Sequence, residues 1–130
     1  MARILLAESD RKIREFIAGN LADCGHDVHA CENGTEASAW LLERPVDVLV
    51  SDLVLSGTQG SILGINCAAL GIPMITLTGR EFRAEEAKED RPRTLLEKPF
   101  RFADLQRVLN AVGIHPRSTD AQLTEALSAV

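Results

Sequence analysis

The fold can be predicted outward from the segment VDVLVSD at residues 46–52. This short apolar run lies between Pro45 and the polar pair Ser51-Asp52, which is typical of a strand buried on both faces of a sheet. A carboxylate that follows such a strand lies at its carboxyl end, where open α/β sheets bind their ligands. Asp52 is therefore the first candidate for a functional residue.

Apolar runs of the same kind alternate with helical patterns along the rest of the chain. Further strands are predicted at residues 4–7, 28–31, 73–78 and 94–96. Apolar side chains at the spacing of an amphipathic helix occur at residues 13–21, 37–41, 62–70 and 105–112, and the third of these helices is expected to be short. This alternation predicts a parallel sheet covered on both faces, and right-handed crossovers favour a five-stranded, doubly wound α/β fold.

Length and composition narrow the class of protein. The chain has 130 residues, 45% of them apolar and 25% charged, which suits one folded domain. No apolar run approaches the ~20 residues of a membrane span, and the N-terminus lacks the pattern of a secretion signal. The net charge of −5 disfavours direct binding of nucleic acid. Three widely spaced cysteines fit neither a metal site nor a disulfide framework, so we expect a cytoplasmic protein with buried thiols.

Four polar side chains follow the predicted strands at one edge of the sheet. They are Glu8, Asp52, Thr78 and Lys98. Carboxylates that share a pocket repel each other, and a hard cation such as Mg²⁺ relieves this repulsion by binding their oxygens. A carboxylate beside Mg²⁺ can attack phosphorus, while a lysine and a hydroxyl stabilise the charge of the transferred group. The cluster therefore predicts phosphoryl transfer to an aspartate.

The segments that contain these residues resemble the receiver domain of two-component response regulators. They are ILLAESD at 4–10, VDVLVSDLVLSG at 46–57, PMITLTG at 73–79 and EKPF at 97–100. The resemblance covers residues 2 to about 112 and implies a flavodoxin-like fold with strand order 2-1-3-4-5. It divides the chain into a receiver domain at 1–112 and a C-terminal extension at 113–130.

The resemblance also implies a role for each matching residue. Asp52 would accept a phosphoryl group from a sensor histidine kinase or a histidine phosphotransfer protein, with Mg²⁺ as cofactor. Glu8, Asp52 and the backbone carbonyl of Val54 would bind the metal, Thr78 would supply the switch hydroxyl, and Lys98 would pair with the phosphate. The bond between Lys98 and the following proline would be cis. Phosphorylation would change binding to a downstream protein, so the chain would be a single-domain regulator and not an enzyme with a free substrate.

The metal site departs from the family pattern at one position. The second acid of the family's acidic pair is replaced by Ser9. A serine hydroxyl is a poorer Mg²⁺ ligand than a carboxylate, so we expect weaker metal binding and slower phosphorylation. Asp10 has two interpretations, because it can compensate as a metal ligand from one residue out of register or cap the first helix.

The switch of the family also lacks one of its usual parts. The position three residues before Lys98 normally holds an aromatic ring, and here it holds Leu95. A conformational switch would therefore have to act through Phe82, Phe100 or a backbone loop.

Two further segments are atypical. Residues 80–93 contain ten charged residues in fourteen, five of each sign, and have too few apolar side chains to hold an ordinary fourth helix on the sheet. In the extension, Leu123, Ala126, Leu127 and Val130 predict a short amphipathic helix. Such a helix is marginal alone, so it should pack on its own domain, on a second copy in a homodimer, or on a partner.

The three histidines and the tryptophan are interpreted as structural residues. His26, His29 and His115 share no spacing typical of metal ligands and are expected at the surface, and Trp40 is expected to pack.

Two functions compete with that of a phosphoacceptor. Ser9 and Leu95 favour a pseudo-receiver, which would act as an interaction or dimerisation module without phosphorylation. A flavodoxin-like enzyme is disfavoured because no glycine-rich phosphate loop follows the first strand.

Overall fold

The computed structural model describes residues 2–52, 60–79 and 94–116. Within these ranges there are five strands and four helices. In chain order they are β1 (Arg3–Ala7), α1 (Arg11–Asp23), β2 (Asp27–Cys31), α2 (Gly34–Glu43), β3 (Val48–Asp52), α3 (Gly60–Leu70), β4 (Met74–Thr78), β5 (Thr94–Glu97) and α4 (Phe102–Ala111). All neighbouring strands are parallel, in the order β2-β1-β3-β4-β5. This confirms the predicted flavodoxin-like fold.

The central strands are buried on both faces because their apolar residues alternate between two core layers. Ile4 and Leu6 of β1 pack with residues of α1 and α4 on one face of the sheet. Leu5 of β1 and Leu49 of β3 pack with residues of α2 and α3 on the other face. Continuous apolar runs are therefore needed in β1 and β3, and these are the runs that predicted the fold. None of the helices in the described ranges is long and apolar enough to cross a membrane.

The ends of α1 follow ordinary capping rules. The Asp10 side chain accepts a hydrogen bond from the Ile13 N–H at 3.1 Å, and Asp10 is therefore the N-cap of α1. Gly25 follows the helix with φ +88°, a conformation that favours glycine. The helix start fixes the loop between β1 and α1, which contains Glu8 and Ser9.

The structure corrects two expectations. α3 spans 11 residues and is as long as its neighbours, so the expected shortening is wrong. His26 is buried at 6% exposure, not at the surface, because its Nδ1 accepts a hydrogen bond from the Ala2 N–H at 3.3 Å. Burial lowers the pKa of the His26 imidazole. His29 is half-buried and stacks on Trp40, which packs as expected.

Several predictions concern residues outside the described ranges. These are the Val54 carbonyl, Phe82, the atypical fourth helix at 80–93 and the amphipathic helix of the C-terminal extension. The described part of the extension contains Ile114, which packs against the core between the sheet, α1 and α4.

Candidate functional site

Four strand ends place the candidate residues along one edge of the sheet. Glu8 directly follows β1, Asp52 ends β3, Thr78 ends β4, and Lys98 directly follows β5. Because β1, β3, β4 and β5 are successive neighbours, their carboxyl ends form one continuous edge. The topology thus brings together residues that lie up to 90 positions apart in the sequence.

Three of the four side chains meet in one ionic cluster. Lys98 Nζ lies 2.7 Å from Glu8 Oε1 and 3.5 Å from Asp52 Oδ2. The Glu8 side chain is fully buried, while the side chains of Asp52 and Lys98 are 13% and 20% exposed. The lysine therefore bridges a buried carboxylate and a more accessible one.

Glu8 is a buried acid with few hydrogen-bond donors. Burial raises the pKa of its carboxyl group, and the nearby negative charge of Asp52 adds to this effect. Lys98 and the backbone N–H of Asp10, which is 3.0 Å from Oε2, oppose it. Apart from the Lys98 ion pair, Oε1 receives no hydrogen bond from the described residues. A buried carboxylate oxygen with a single partner has a lone pair left over that could bind a cation.

Ser9 makes direct contact with the candidate phosphoacceptor. Its Oγ donates a hydrogen bond to Asp52 Oδ2 at 3.2 Å. The same oxygen faces Lys98, whereas Asp52 Oδ1 accepts no hydrogen bond within the described part of the chain. Among the described residues, one oxygen of Asp52 is therefore held and the other has no hydrogen-bond donor.

Thr78 is tied to the site through its backbone. Its carbonyl accepts a hydrogen bond from the Lys98 N–H at 2.7 Å, while its hydroxyl donates to the Gly79 carbonyl at 3.3 Å. Thr78 is buried, and its hydroxyl does not bond to Asp52 or Lys98 in this structure. The Lys98–Pro99 bond is cis, as the resemblance implies.

Arg14 is a site-supporting residue that the sequence analysis missed. Its Nη1 donates to the carbonyl of Glu8 at 2.9 Å and to that of Ser9 at 3.4 Å. Arg14 lies in the first turns of α1, where a side chain points back towards the helix N-terminus. Its place in the first turns of α1 was the only signal in the sequence that Arg14 could support the site. The same signal applies equally to its charged neighbours Arg11 and Lys12.

The donor set can be tested for its fit to a divalent cation. Glu8 and Asp52 supply carboxylate oxygens, the ligands that Mg²⁺ prefers, and Glu8 Oε1 has unused capacity. Asp10 is used as the N-cap of α1, and Ser9 offers a hydroxyl. The described residues contain no group of three or more acidic, histidine or cysteine side chains that could hold a metal. The set therefore offers Mg²⁺ two protein carboxylates, and the other ligands would have to be further oxygens, such as those of water or backbone.

An apolar groove lies directly beside Lys98. It has a volume of about 360 Å³ and is lined by Ile13, Phe16, Gly79, Lys98, Pro99 and Phe100. Leu95 is half-buried and pairs with Thr76 across β5 and β4, away from these groove residues. Within the described ranges, Phe16 and Phe100 are therefore the aromatic rings that line this groove.

Comparison of the sequence with known proteins identifies the family of this chain and several relatives. The family described as the response regulator receiver domain matches residues 4–110, which include all four strand-end residues. The response regulator receiver protein CpdR of Brucella abortus is 33% identical over 109 residues, 81% of this chain and 91% of that protein. The regulatory proteins PhoP of Salmonella typhimurium and PhoB of Pseudomonas aeruginosa are longer relatives, and the chain spans 37% and 50% of their length.

Solved receiver domains share the backbone fold. The receiver domain of the Francisella response regulator 1452 superposes with a TM-score of 0.75 at 26% identity, covering 86% of this chain and 96% of that one. The receiver domain of the sensor histidine kinase PA1611 from Pseudomonas aeruginosa superposes with a TM-score of 0.76 at 24% identity, covering 86% and 98%. That structure holds a magnesium ion in its active-site cleft.

Proposed function

The chain belongs to the response regulator receiver family, and we propose that it is a signalling phosphoacceptor that takes a phosphoryl group on Asp52. The observation that supports this most directly is the asymmetry of the Asp52 carboxylate. Oδ2 contacts Ser9 and Lys98, while Oδ1 accepts no hydrogen bond from the described residues. An open carboxylate oxygen beside a fixed ammonium is suited to attack phosphorus.

The donor would be a phosphohistidine on a sensor histidine kinase or a histidine phosphotransfer protein. An Asp52 oxygen forms a bond to phosphorus as the bond between phosphorus and the imidazole nitrogen breaks. The departing imidazole nitrogen takes up a proton from water, so the leaving group is neutral histidine. The chemistry takes place on the chain's own Asp52, so the protein is not an enzyme with a free substrate. A partner that brings its histidine to Asp52 would contact the apolar groove beside Lys98.

Mg²⁺ is the proposed cofactor of this transfer. Glu8, Asp52 and the Val54 carbonyl would hold it. Asp10 caps α1 through Oδ1, so its Oδ2 could still serve as a further ligand. When bound, Mg²⁺ supplies positive charge to the phosphoryl oxygens. Lys98 supplies the second positive charge, and the Thr78 hydroxyl would have to leave the Gly79 carbonyl to reach the phosphoryl group.

The product of this reaction would act through protein contacts. Phosphorylated Asp52 would attract Lys98 and Thr78, and the resulting shift at the ends of β4 and β5 would change binding to a downstream protein. We place this exchange in the cytoplasm, without direct contact to nucleic acid or membrane.

One observation favours the competing pseudo-receiver function. Lys98 lies nearer to Glu8 than to Asp52, and Ser9 already bonds to the Asp52 oxygen that faces the lysine. A closed cluster of this kind could stabilise an interaction module that is never phosphorylated.

Beryllofluoride distinguishes the two functions because it forms a phosphoryl-like adduct with a reactive aspartate. With Mg²⁺ and beryllofluoride, a phosphoacceptor should show NMR shifts at the amides around Asp52, Thr78 and Lys98, and Asp52→Asn should abolish them. An unchanged spectrum of the wild-type protein would support the pseudo-receiver instead.

A further inference from the structure

α3 lies at the surface but has no charged face. Its sequence, GSILGINCAAL, contains no charged residue, and residues 53–79 as a whole contain no Asp, Glu, Lys, Arg or His. Ile62 is 48% exposed and Ile65 is 67% exposed. Surface helices normally present charged or polar residues to water, so a helix that is apolar on all sides is expected to be covered.

Leu42 of α2 extends this apolar surface and is 72% exposed. On α2, Leu41 is buried, and Trp40 stacks on His29 of the edge strand β2 with ring centroids 3.5 Å apart. Trp40 therefore marks the flank of α2 that faces the edge of the sheet. Leu42 lies about 100° round the helix from Leu41 in the other direction, on the flank that faces α3.

The exposed isoleucines of α3 lie on its matching flank. α2 and α3 run in the same direction on the same face of the sheet, and they pack against each other. Ile62 lies about 100° round the helix from the buried Leu63, on the flank of α3 that faces α2. Ile65 lies on the same flank about one turn later. We call the set Leu42, Ile62, Ile65 and the exposed Ala69 the α2–α3 surface.

We propose that the α2–α3 surface binds a second copy of this chain. Each copy has a net charge of −5, so two copies repel each other over most of their surfaces. The α2–α3 surface has no charge at its centre, and an uncharged apolar face is complementary to itself around a two-fold axis. Two copies can therefore bury this surface without removing a charged group from water.

The size of the surface sets the strength of the dimer. An 11-residue helix is about 16 Å long, and two packed helices present a face about 20 Å wide, or roughly 300 Å² per copy. Stable interfaces bury roughly 800 Å² per partner, so the dimer should be weak and should form at high concentration. The exposed Glu36 and Glu43 of α2 lie at the rim, so added salt should strengthen association by screening their repulsion.

Sedimentation velocity over a concentration series tests the proposal on the full chain. The wild-type protein should pass from monomer to dimer as concentration rises, with a lower dissociation constant at higher salt. Ile65→Glu should raise the dissociation constant about tenfold or more, because it places a negative charge in the buried face of each copy. Ala22→Glu is the control: Ala22 is exposed on α1, on the opposite face of the sheet, and its substitution should leave the dissociation constant unchanged. Circular dichroism would check that each variant is folded.

Three results would overturn the proposal. The first is a wild-type protein that stays monomeric throughout the series. The second is a dimer that is weakened by Ala22→Glu but not by Ile65→Glu. The third is a monomer in which Leu127→Glu increases hydrogen exchange of the α2 and α3 amides, because that would assign the surface to the chain's own C-terminal extension.

Discussion

Lys98 Nζ lies 0.8 Å closer to Glu8 than to Asp52, at 2.7 Å against 3.5 Å. The lysine therefore neutralises the buried carboxylate first, and Asp52 is held by the longer contact together with Ser9. A phosphoryl group on Asp52 would bring more negative charge towards Lys98 and compete with Glu8 for it. This competition explains why Mg²⁺ and phosphorylation should be coupled in this protein, since a freed Glu8 needs another cation.

The first prediction concerns the stability of this ion pair. Lys98→Met should lower the free energy of unfolding by about 2 kcal/mol, because it leaves the buried Glu8 without its cation. The loss stays below that of a fully buried pair, since Lys98 is 20% exposed and Glu8 can take up a proton. Urea unfolding in the presence of a chelator measures it.

The matched control for this variant is a surface ion pair. Arg107→Met removes the exposed contact between Arg107 and Asp104 at 2.9 Å and should leave the unfolding midpoint unchanged. Adding Glu8→Gln to Lys98→Met should restore most of the lost stability. A double variant that is no more stable than Lys98→Met alone would show that the unpaired Glu8 carboxylate is not the cause of the lost stability.

The second prediction concerns Ser9 and the metal. Ser9→Asp should raise the affinity for Mg²⁺ about tenfold, because it adds a third carboxylate beside Glu8 and Asp52. Ser9→Ala separates this charge effect from loss of the hydrogen bond to Asp52, and its affinity should stay close to that of the wild type. Isothermal titration calorimetry provides the values, and equal affinities for wild type and Ser9→Asp would refute the interpretation.

The third prediction assigns a positioning role to Arg14. Arg14→Gln removes the contacts to the carbonyls of Glu8 and Ser9, so the loop before α1 should lose its fixed geometry. Phosphorylation by acetyl phosphate should slow about tenfold and Mg²⁺ should bind more weakly, while Arg14→Lys recovers part of both. Arg11→Gln, at an exposed position of the same helix, is the control. Normal Mg²⁺ affinity in folded Arg14→Gln would rule out this role.

The fourth prediction is a pH dependence of stability that comes from His26. Burial lowers the pKa of His26 in the folded state, so the unfolded chain binds its proton first as pH falls. The stability from neutral, buried His26 is therefore present above the ordinary value of 6.5 and is lost as pH falls through the lowered folded-state pKa.

The measurement compares denaturant unfolding between about pH 5.5 and about pH 7.5. His26→Asn keeps an acceptor near the Ala2 N–H but does not titrate, and should show a smaller loss at low pH. His115→Asn, at an exposed position, should behave like the wild type. An identical pH dependence for wild type and His26→Asn would be inconsistent with this account.

The strands and the identity of the strand ends could be predicted from the sequence because each depends on a local pattern, while the strand order followed from the resemblance to receiver domains. The apolar run before Asp52 and the run before Glu8 each indicate a strand buried on both faces, and the topology then places their ends together. The full length of α3 was harder to predict, because an apolar helix without charged residues has no amphipathic pattern to mark where it begins.

Contacts between distant residues could not be predicted from local patterns. The resemblance pairs Lys98 with a phosphate, but the preference of Lys98 for Glu8 over Asp52 depends on a difference of 0.8 Å between contacts at three strand ends. Burial of His26 depends on a hydrogen bond from Ala2, 24 residues away. Arg14 differs from Arg11 only in the direction of its side chain, which the helix start at Asp10 decides.

The most direct test of the central claim is the intact mass of the protein after incubation with acetyl phosphate and Mg²⁺. The account predicts the mass of one added phosphoryl group on the wild-type chain and none on Asp52→Asn. Omitting Mg²⁺ should greatly reduce the adduct. A wild-type chain that gains no phosphoryl group under these conditions, or an Asp52→Asn chain that gains one as readily, would contradict the assignment of Asp52 as the phosphoacceptor.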